Sequence, residues 1–194
     1  VRSDSSNFRT NAGSTLIFLH IHKTAGTALH KIIRRQNKRS TVYSKHGFFP
    51  QKFNDSFKEL PAAMREKLRY VKAPMYFGLH ESLSQPSTYV TMLRDPIDRV
   101  ISHYYMVLQT PADVVHNDVT SQRLGLEDFA VYNEVKSRRM SLEDFARSGL
   151  LAELENGQTR FLSGTGPEVG FGQCSNEALE KAKKISGNIL PFLD

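Results

Sequence analysis

Tryptophan is absent from the 194-residue chain and cysteine occurs once, at Cys174. One cysteine excludes an internal disulfide framework and any zinc cluster built from cysteine alone. No apolar run approaches the roughly 20 residues that a membrane-spanning helix needs. The start of the chain also lacks the basic-then-apolar pattern of a secretory leader. Negative charge is in deficit: 20 Asp and Glu stand against 26 Lys and Arg, a formal charge of +6. That surplus suits an anionic partner, whether nucleotide, sulfated or carboxylated glycan, nucleic acid or membrane surface, without choosing among them. The lone cysteine fits a reducing, cytoplasmic setting. Because the chain opens on Val1, removal of a leader or tag is expected. A Golgi lumenal location is the alternative if the chain is the soluble part of a longer protein.

What is present is a globular mixture, with hydrophobic residues at 39% and charged residues at 24%. The length suits one domain with its own core. Residues 1–14 are small and polar and read as a flexible tail. Thr15–Ile21 is a nearly continuous apolar run, the pattern of a parallel strand buried on both faces. A short turn at Lys23–Thr27 follows. Leu29, Ile32 and Ile33 then recur at helical spacing, with Lys31, Arg34 and Arg35 opposite. Thr88–Leu93 is a second buried strand. Arg94 ends it, and Asp95-Pro96 supplies the N-cap and first position of another helix, which runs toward Pro111. Pro61 starts a helix expected over Ala62–Tyr70. Pro74 places any strand within Val71–Leu79 near an edge, or interrupts it.

Phe48, Phe49, Phe53 and Phe57 read as core or cover, and residues 111–125 as a loop. Leu126–Ala130 and Leu142–Ala146 share the same five residues, which two similar amphipathic helices explain; Ser141 caps the second. Residues 163–173 are glycine-rich and loop-like, and a lysine-rich helix covers about Asn176–Lys184. The whole reads as an α/β fold with a central, mainly parallel sheet flanked by helices.

The chemistry concentrates in two segments. In His22-Lys23-Thr24-Ala25-Gly26-Thr27-Ala28 a strand feeds a helix N-terminus, where unpaired N–H groups and the helix dipole favour an anion. Gly26 permits close backbone approach, Thr24 and Thr27 add hydroxyls, and Lys23 adds a full charge. The segment is not a Walker A loop, whose lysine follows two glycines. The second segment runs Leu93-Arg94-Asp95-Pro96-Ile97-Asp98-Arg99-Val100-Ile101-Ser102-His103. Arg94 offers a bidentate fork to a second phosphate. Ser102 lies about two turns beyond Asp95 on the same side of the helix. Both segments fall at the carboxyl ends of strands, where open α/β sheets bind ligands.

Together these segments resemble sulfotransferases that use 3′-phosphoadenosine 5′-phosphosulfate, in the branch of carbohydrate 2-O-sulfotransferase-like and bacterial sulfotransferase-family proteins. The resemblance covers about Leu16–Gly164 and implies a P-loop-like three-layer fold. It further implies that Lys23, Thr24, Ala25, Gly26, Thr27 and Ala28 hold the 5′-phosphosulfate, and that Arg94 and Ser102 hold the 3′-phosphate. Gln158–Leu162 is also similar to a family segment, with no role assigned to Arg160. Two departures stand out. His22 occupies a position that is often proline, and Ile185–Asp194 differs from the usual continuation, so residues 15–194 are expected to form one sulfotransferase-like domain truncated or divergent at its end.

The implied reaction moves a sulfuryl group to a hydroxyl acceptor, a carbohydrate in the first instance and an acidic glycan among the candidates. Lys23 stabilises the leaving oxygen. A general base completes the scheme, and of His20, His22, His30, His46, His80, His103 and His116 the choice falls on His80, in a segment that resembles the family's base-bearing one. No metal is expected, since His20 and His22 lack a zinc signature; nucleic acid is not expected either. A basic stretch at Arg34–Arg39 reads as a solvated helix end or part of a glycan groove. The alternatives are a P-loop-like small-molecule kinase, which would bind ATP with magnesium, and a basic glycan-binding module without turnover.

Overall fold

The structure, a computed structural model, describes residues 13–45, 50–109, 133–166, 168–187 and 189. Most of the N-terminal tail, Phe48 and Phe49, the loop at 111–125, the Leu126–Ala130 segment, His46, His116 and residues 190–194 lie outside the described residues. The sheet has four strands in the order β2-β3-β1-β4: β1 Thr15–Leu19, β2 Val42–Ser44, β3 Tyr70–Ala73 and β4 Ser87–Thr91. All pairings are parallel, with Leu19 opposite Ala73 on one side and Thr91 on the other. The connections carry helices α1 Gly26–Arg35, α2 Pro50–Lys58 and α3 Ala62–Arg65. Beyond β4 come α4 Pro96–Gln109, α5 Leu142–Arg147, α6 Gly157–Ser163 and α7 Asn176–Ser186.

The apolar run of β1 is buried at every position, and its alternating side chains enter two cores. Ile17 and Leu19 join Val71, Ala73, Tyr89 and the aromatic rings of Phe53, Phe57 and Phe161 from α2 and α6. Leu16 and Phe18 join Tyr70, Val90, and Leu29 and Ile33 of α1. Helices therefore cover both faces, the three-layer α/β arrangement that the pattern implied. A third cluster gathers Val107, Val135, Phe145 and Leu154 beside α4.

Two expectations are corrected. The helix after Pro61 is a single turn, Ala62–Arg65, because Tyr70 is needed in β3, where it pairs with Leu16. The strand near Pro74 is neither interrupted nor at an edge; β3 lies between β2 and β1. Its last paired residue is Ala73, so the proline's missing N–H falls just outside the ladder. The caps behave as read. Asp95 Oδ1 accepts from Ile97 N at 2.9 Å and Asp98 N at 3.1 Å, and Ser141 Oγ accepts from Asp144 N at 3.1 Å. The loop after α6 is tied down by Arg160, which is buried and donates to the carbonyls of Val169 and Gly170 at 2.5 and 2.7 Å. It also pairs with Glu155 at 2.6 Å, a structural role for a residue that had none.

Phe57 is fully buried against Tyr43 and Phe53. Phe57→Ala should lower unfolding stability by about 3–5 kcal/mol, read from urea denaturation; a loss well below that range would show that α2 does not seal this core.

Candidate anion-binding site

The parallel sheet delivers the ends of β1, β3 and β4 to one edge. There, His20 N donates to Ala73 O at 3.1 Å and Thr91 Oγ1 to Leu19 O at 2.8 Å, so the edge is laced together before the loop begins. Between β1 and α1 the backbone takes the left-handed region twice at non-glycine residues, Lys23 (φ 66°) and Ala25 (φ 62°). Each such residue costs on the order of 1–3 kcal/mol, and such strain collects at functional sites. Thr24 sits between them, buried, and donates its hydroxyl proton to Ile21 O at 2.9 Å. Thr24 therefore braces the loop instead of offering that proton to a ligand, a different part from the one its side chain suggested. Thr27 and Ala28 are exposed in the first turn of α1. Ala28 N donates to Ala25 O at 3.2 Å, while the N–H groups ahead of it are among the leading donors that a helix leaves without an intrahelical partner. Gly26 has a steric reason: a Cβ there would lie 2.2 Å from His20 Nδ1 and 2.9 Å from the Phe18 ring.

Arg94 leaves the end of β4 and reaches back to this loop, its Nη1 donating to Lys23 O at 3.4 Å. Its backbone is clasped from the other side by Gln158, which accepts from Arg94 N at 2.9 Å and donates to Arg94 O at 2.7 Å. The two expected cations thus stand at the same edge. Burial pushes the Lys23 ammonium down, and the nearby Arg94 charge pushes it further. Among the described residues no carboxylate pairs with either. Ser102 is half-buried in α4, between the buried Arg99 and His103.

Beneath the loop lies a buried ionic cluster. His22 donates from Nδ1 to Glu153 Oε2 at 3.2 Å. Arg99 Nη1 lies 3.9 Å from the same oxygen, and His103 Nδ1 lies 3.6 Å from Oε1. Arg99 Nη2 also donates to the Glu153 carbonyl. Burial alone would raise the Glu153 carboxyl, but the charges of His22, His103 and Arg99 outweigh it and hold the group well below the usual range. Burial lowers His103 from 6.5 to about 4, against the opposing pull of Glu153.

His80 sits in a 3₁₀ turn at Leu79–Ser82, packed on Phe77 and Tyr89. The Tyr89 oxygen accepts from Gly78 N at 3.3 Å and His80 N at 3.0 Å. Its own proton is then directed at His80 Nδ1, 3.2 Å away, which leaves the ring proton on Nε2. Arg34–Arg39 lies at the far end of α1, about 15 Å of helix from the loop. Among the described residues no group of three or more His, Cys, Asp or Glu is arranged to hold a metal, and no helix is long and apolar enough to cross a membrane.

Sequence reasoning missed the parts of Glu153, Arg99, His103 and Gln158. Gln158 lay in a segment already singled out, whereas Glu153 carries no local signal, its partners being 131, 54 and 50 positions away. Lys72 was also missed; it is buried near the carboxyl end of β3, where burial lowers its ammonium to about 8.

The model of the sulfotransferase family matches residues 6–151, a span that contains the loop, Arg94 and Ser102. The chain belongs to the sulfotransferase family. This family implies sulfuryl-transferase chemistry, and the four-stranded parallel sheet with helices on both faces agrees with its P-loop-like fold. No curated protein and no solved structure matches the chain.

Two outcomes follow from this geometry. Gly26→Ala should displace His20 or the loop and destabilise the protein by about 1–3 kcal/mol, seen as a lowered melting temperature. Acid should destabilise it too. Folded His103 titrates near 4 and the unfolded side chain near 6.5, so the folded state binds fewer protons in between. Its contribution is complete above about pH 6.5 and is lost as pH falls toward 4. Glu153, depressed in the fold, adds a loss of the same sign at lower pH. A melting temperature unchanged between about pH 7.5 and pH 4.5 would contradict this.

Proposed function

We propose that this sulfotransferase moves the sulfuryl group of 3′-phosphoadenosine 5′-phosphosulfate to a hydroxyl, with a carbohydrate as acceptor. The observation that carries the reading is the meeting of Lys23 and Arg94 at one sheet edge with no carboxylate for either among the described residues. Two like charges so placed repel, and an anion with more than one phosphate-type group relieves them. A doubly left-handed loop at a helix N-terminus supplies backbone donors for the same charge.

In this reading Lys23, Thr24, Ala25, Gly26, Thr27 and Ala28 receive the 5′-phosphosulfate through backbone N–H groups, the Lys23 ammonium and the Thr27 hydroxyl. Arg94 swings from the Lys23 carbonyl to the 3′-phosphate, assisted by Ser102. The acceptor oxygen attacks sulfur as the bond to the 5′-phosphate oxygen breaks. That oxygen departs with the electron pair, stabilised by Lys23, in a displacement governed by positioning and charge. The acceptor proton passes to a base. His80 serves there only in the tautomer opposite to the one that Tyr89 favours, with Nε2 unprotonated. Positive charge at Lys31, Arg34 and Arg35, all exposed on α1, suits a long anionic glycan more than a small alcohol. The absence of a second cysteine remains the ground for a cytoplasmic assignment.

Titration calorimetry with adenosine 3′,5′-bisphosphate tests the site. Lys23→Ala and Arg94→Ala should each weaken binding by about tenfold to hundredfold, the worth of a charge-assisted hydrogen bond; undiminished affinity in both removes the assignment. The wild-type chain should be stabilised to heat by this ligand without metal, and not by ATP with magnesium. His80→Ala should keep nucleotide affinity and lower sulfuryl transfer to an oligosaccharide panel by about 10²–10⁴; unchanged transfer places the base elsewhere.

A further inference from the structure

We infer that Glu153 is a positioning residue of the nucleotide site, holding the phosphate loop and the Arg94–Ser102 arm at a fixed spacing. The inference rests on the nucleotide-binding reading above. Two separate pieces of chain meet at this one residue. From the loop comes His22, the neighbour of Lys23, at 3.2 Å. From α4 come Arg99 and His103, at 3.9 and 3.6 Å, on either side of Ser102 in the helix. Arg99 also grips the Glu153 main chain. Five residues further on, Gln158 closes its two bonds on the backbone of Arg94. The stretch 153–158 is therefore a strut: its first residue fixes what flanks Lys23 and Ser102, and its last fixes Arg94.

The cluster is a poor device for stability alone. A buried ion pair gains little over apolar residues of the same volume, because desolvation consumes the attraction. What it supplies is directional geometry through two hydrogen bonds, His22 Nδ1 to the carboxylate and Arg99 Nη2 to the Glu153 carbonyl, since each constrains where its partner points. Arg99 Nη1 and His103 add charge contacts at longer range. Gly157 shows how tightly the strut is fitted, since a Cβ there would lie 2.5 Å from Arg99 Nη2.

The electrostatics give the inference a distinctive sign. Glu153 is a negative charge close to a site that receives anions. As a bystander it would oppose binding, and neutralising it would tighten the complex. As a positioning residue it acts oppositely, and neutralising it loosens the complex.

The test measures adenosine 3′,5′-bisphosphate affinity for the full chain, for Glu153→Gln, and for each with Lys23→Ala added. Folding is checked by circular dichroism at low temperature. Glu153→Gln should bind about tenfold more weakly, and Lys23→Ala should cost a smaller factor in that background than alone, the mark of two groups acting through one arrangement. Affinity equal to or above wild type in folded Glu153→Gln overturns the inference, as does an equal Lys23→Ala factor in both backgrounds. If Glu153→Gln does not fold, His22→Leu, which cuts the loop from the strut and leaves Glu153 with Arg99 and His103, takes its place with the same expected and overturning results. A wild-type chain that does not bind the bisphosphate fails at the earlier step and overturns both readings together, whereas wild-type binding with an unaltered variant overturns this one alone.

Discussion

β1 is flanked by parallel partners on both sides, and that pairing decides where every chemically active residue emerges. With Leu19 in register with Ala73 and Thr91, the chain leaves three strands at the same rim. The loop of Lys23 and the arm of Arg94 begin within one strand spacing of each other, about 5 Å apart across the ladder. An antiparallel β4 would send Arg94 to the opposite rim. The burial of β1 on both faces enforces this topology, because only a strand covered by helices on each side can carry Leu16-Ile17-Phe18-Leu19 without exposing a face.

On this frame the molecule uses its ionic groups in two contrasting ways. Among the described residues Lys23 and Arg94 stand at the rim without a counter-charge, whereas Arg99 and Arg160 are each engaged within the protein, by Glu153 and by Glu155 with two carbonyls. These engaged guanidinium groups tie loops to helices. The pair at the rim is the ground for the anion-binding proposal. The same residue type thus serves as mortar in one place and stands at the candidate site in another, and burial together with the neighbouring carboxylate makes the difference.

How much of this was legible depends on how far the deciding contacts reach along the chain. Two-faced burial of β1, the turn at Lys23–Thr27 and the Asp95-Pro96 helix start are local signals, and each appears in the structure at its expected place. The end of the Ala62 helix was misjudged because Tyr70 is claimed by a strand partner at Leu16, which no local propensity encodes. Pro74 misled for a related reason: its effect on a strand depends on which side of the last ladder pair it falls. The candidate site's cations, which the structure brings to one rim, were visible in the sequence, and its scaffolding was not. Lys23, Gly26 and Arg94 belong to recognisable segments, whereas Glu153 finds His22 across 131 positions, and only the folded chain brings them together. Tyr89 gives a subtler case, since the sequence offers His80 as a titratable ring but cannot say which nitrogen a phenol will address.

The strained backbone at Lys23 and Ala25 also bears on how an incoming molecule is captured. Thr24 and the buried cluster beneath hold the loop in this shape before anything arrives, so its conformational entropy has already been surrendered during folding. In the proposed nucleotide complex the loop's backbone donors need no rearrangement, while the Arg94 side chain swings, so little binding energy is diverted into ordering the loop. In that proposal selectivity follows from the same stiffness: a rigid cradle does not relax around an anion of the wrong width, and rejects it where a pliant loop would adapt.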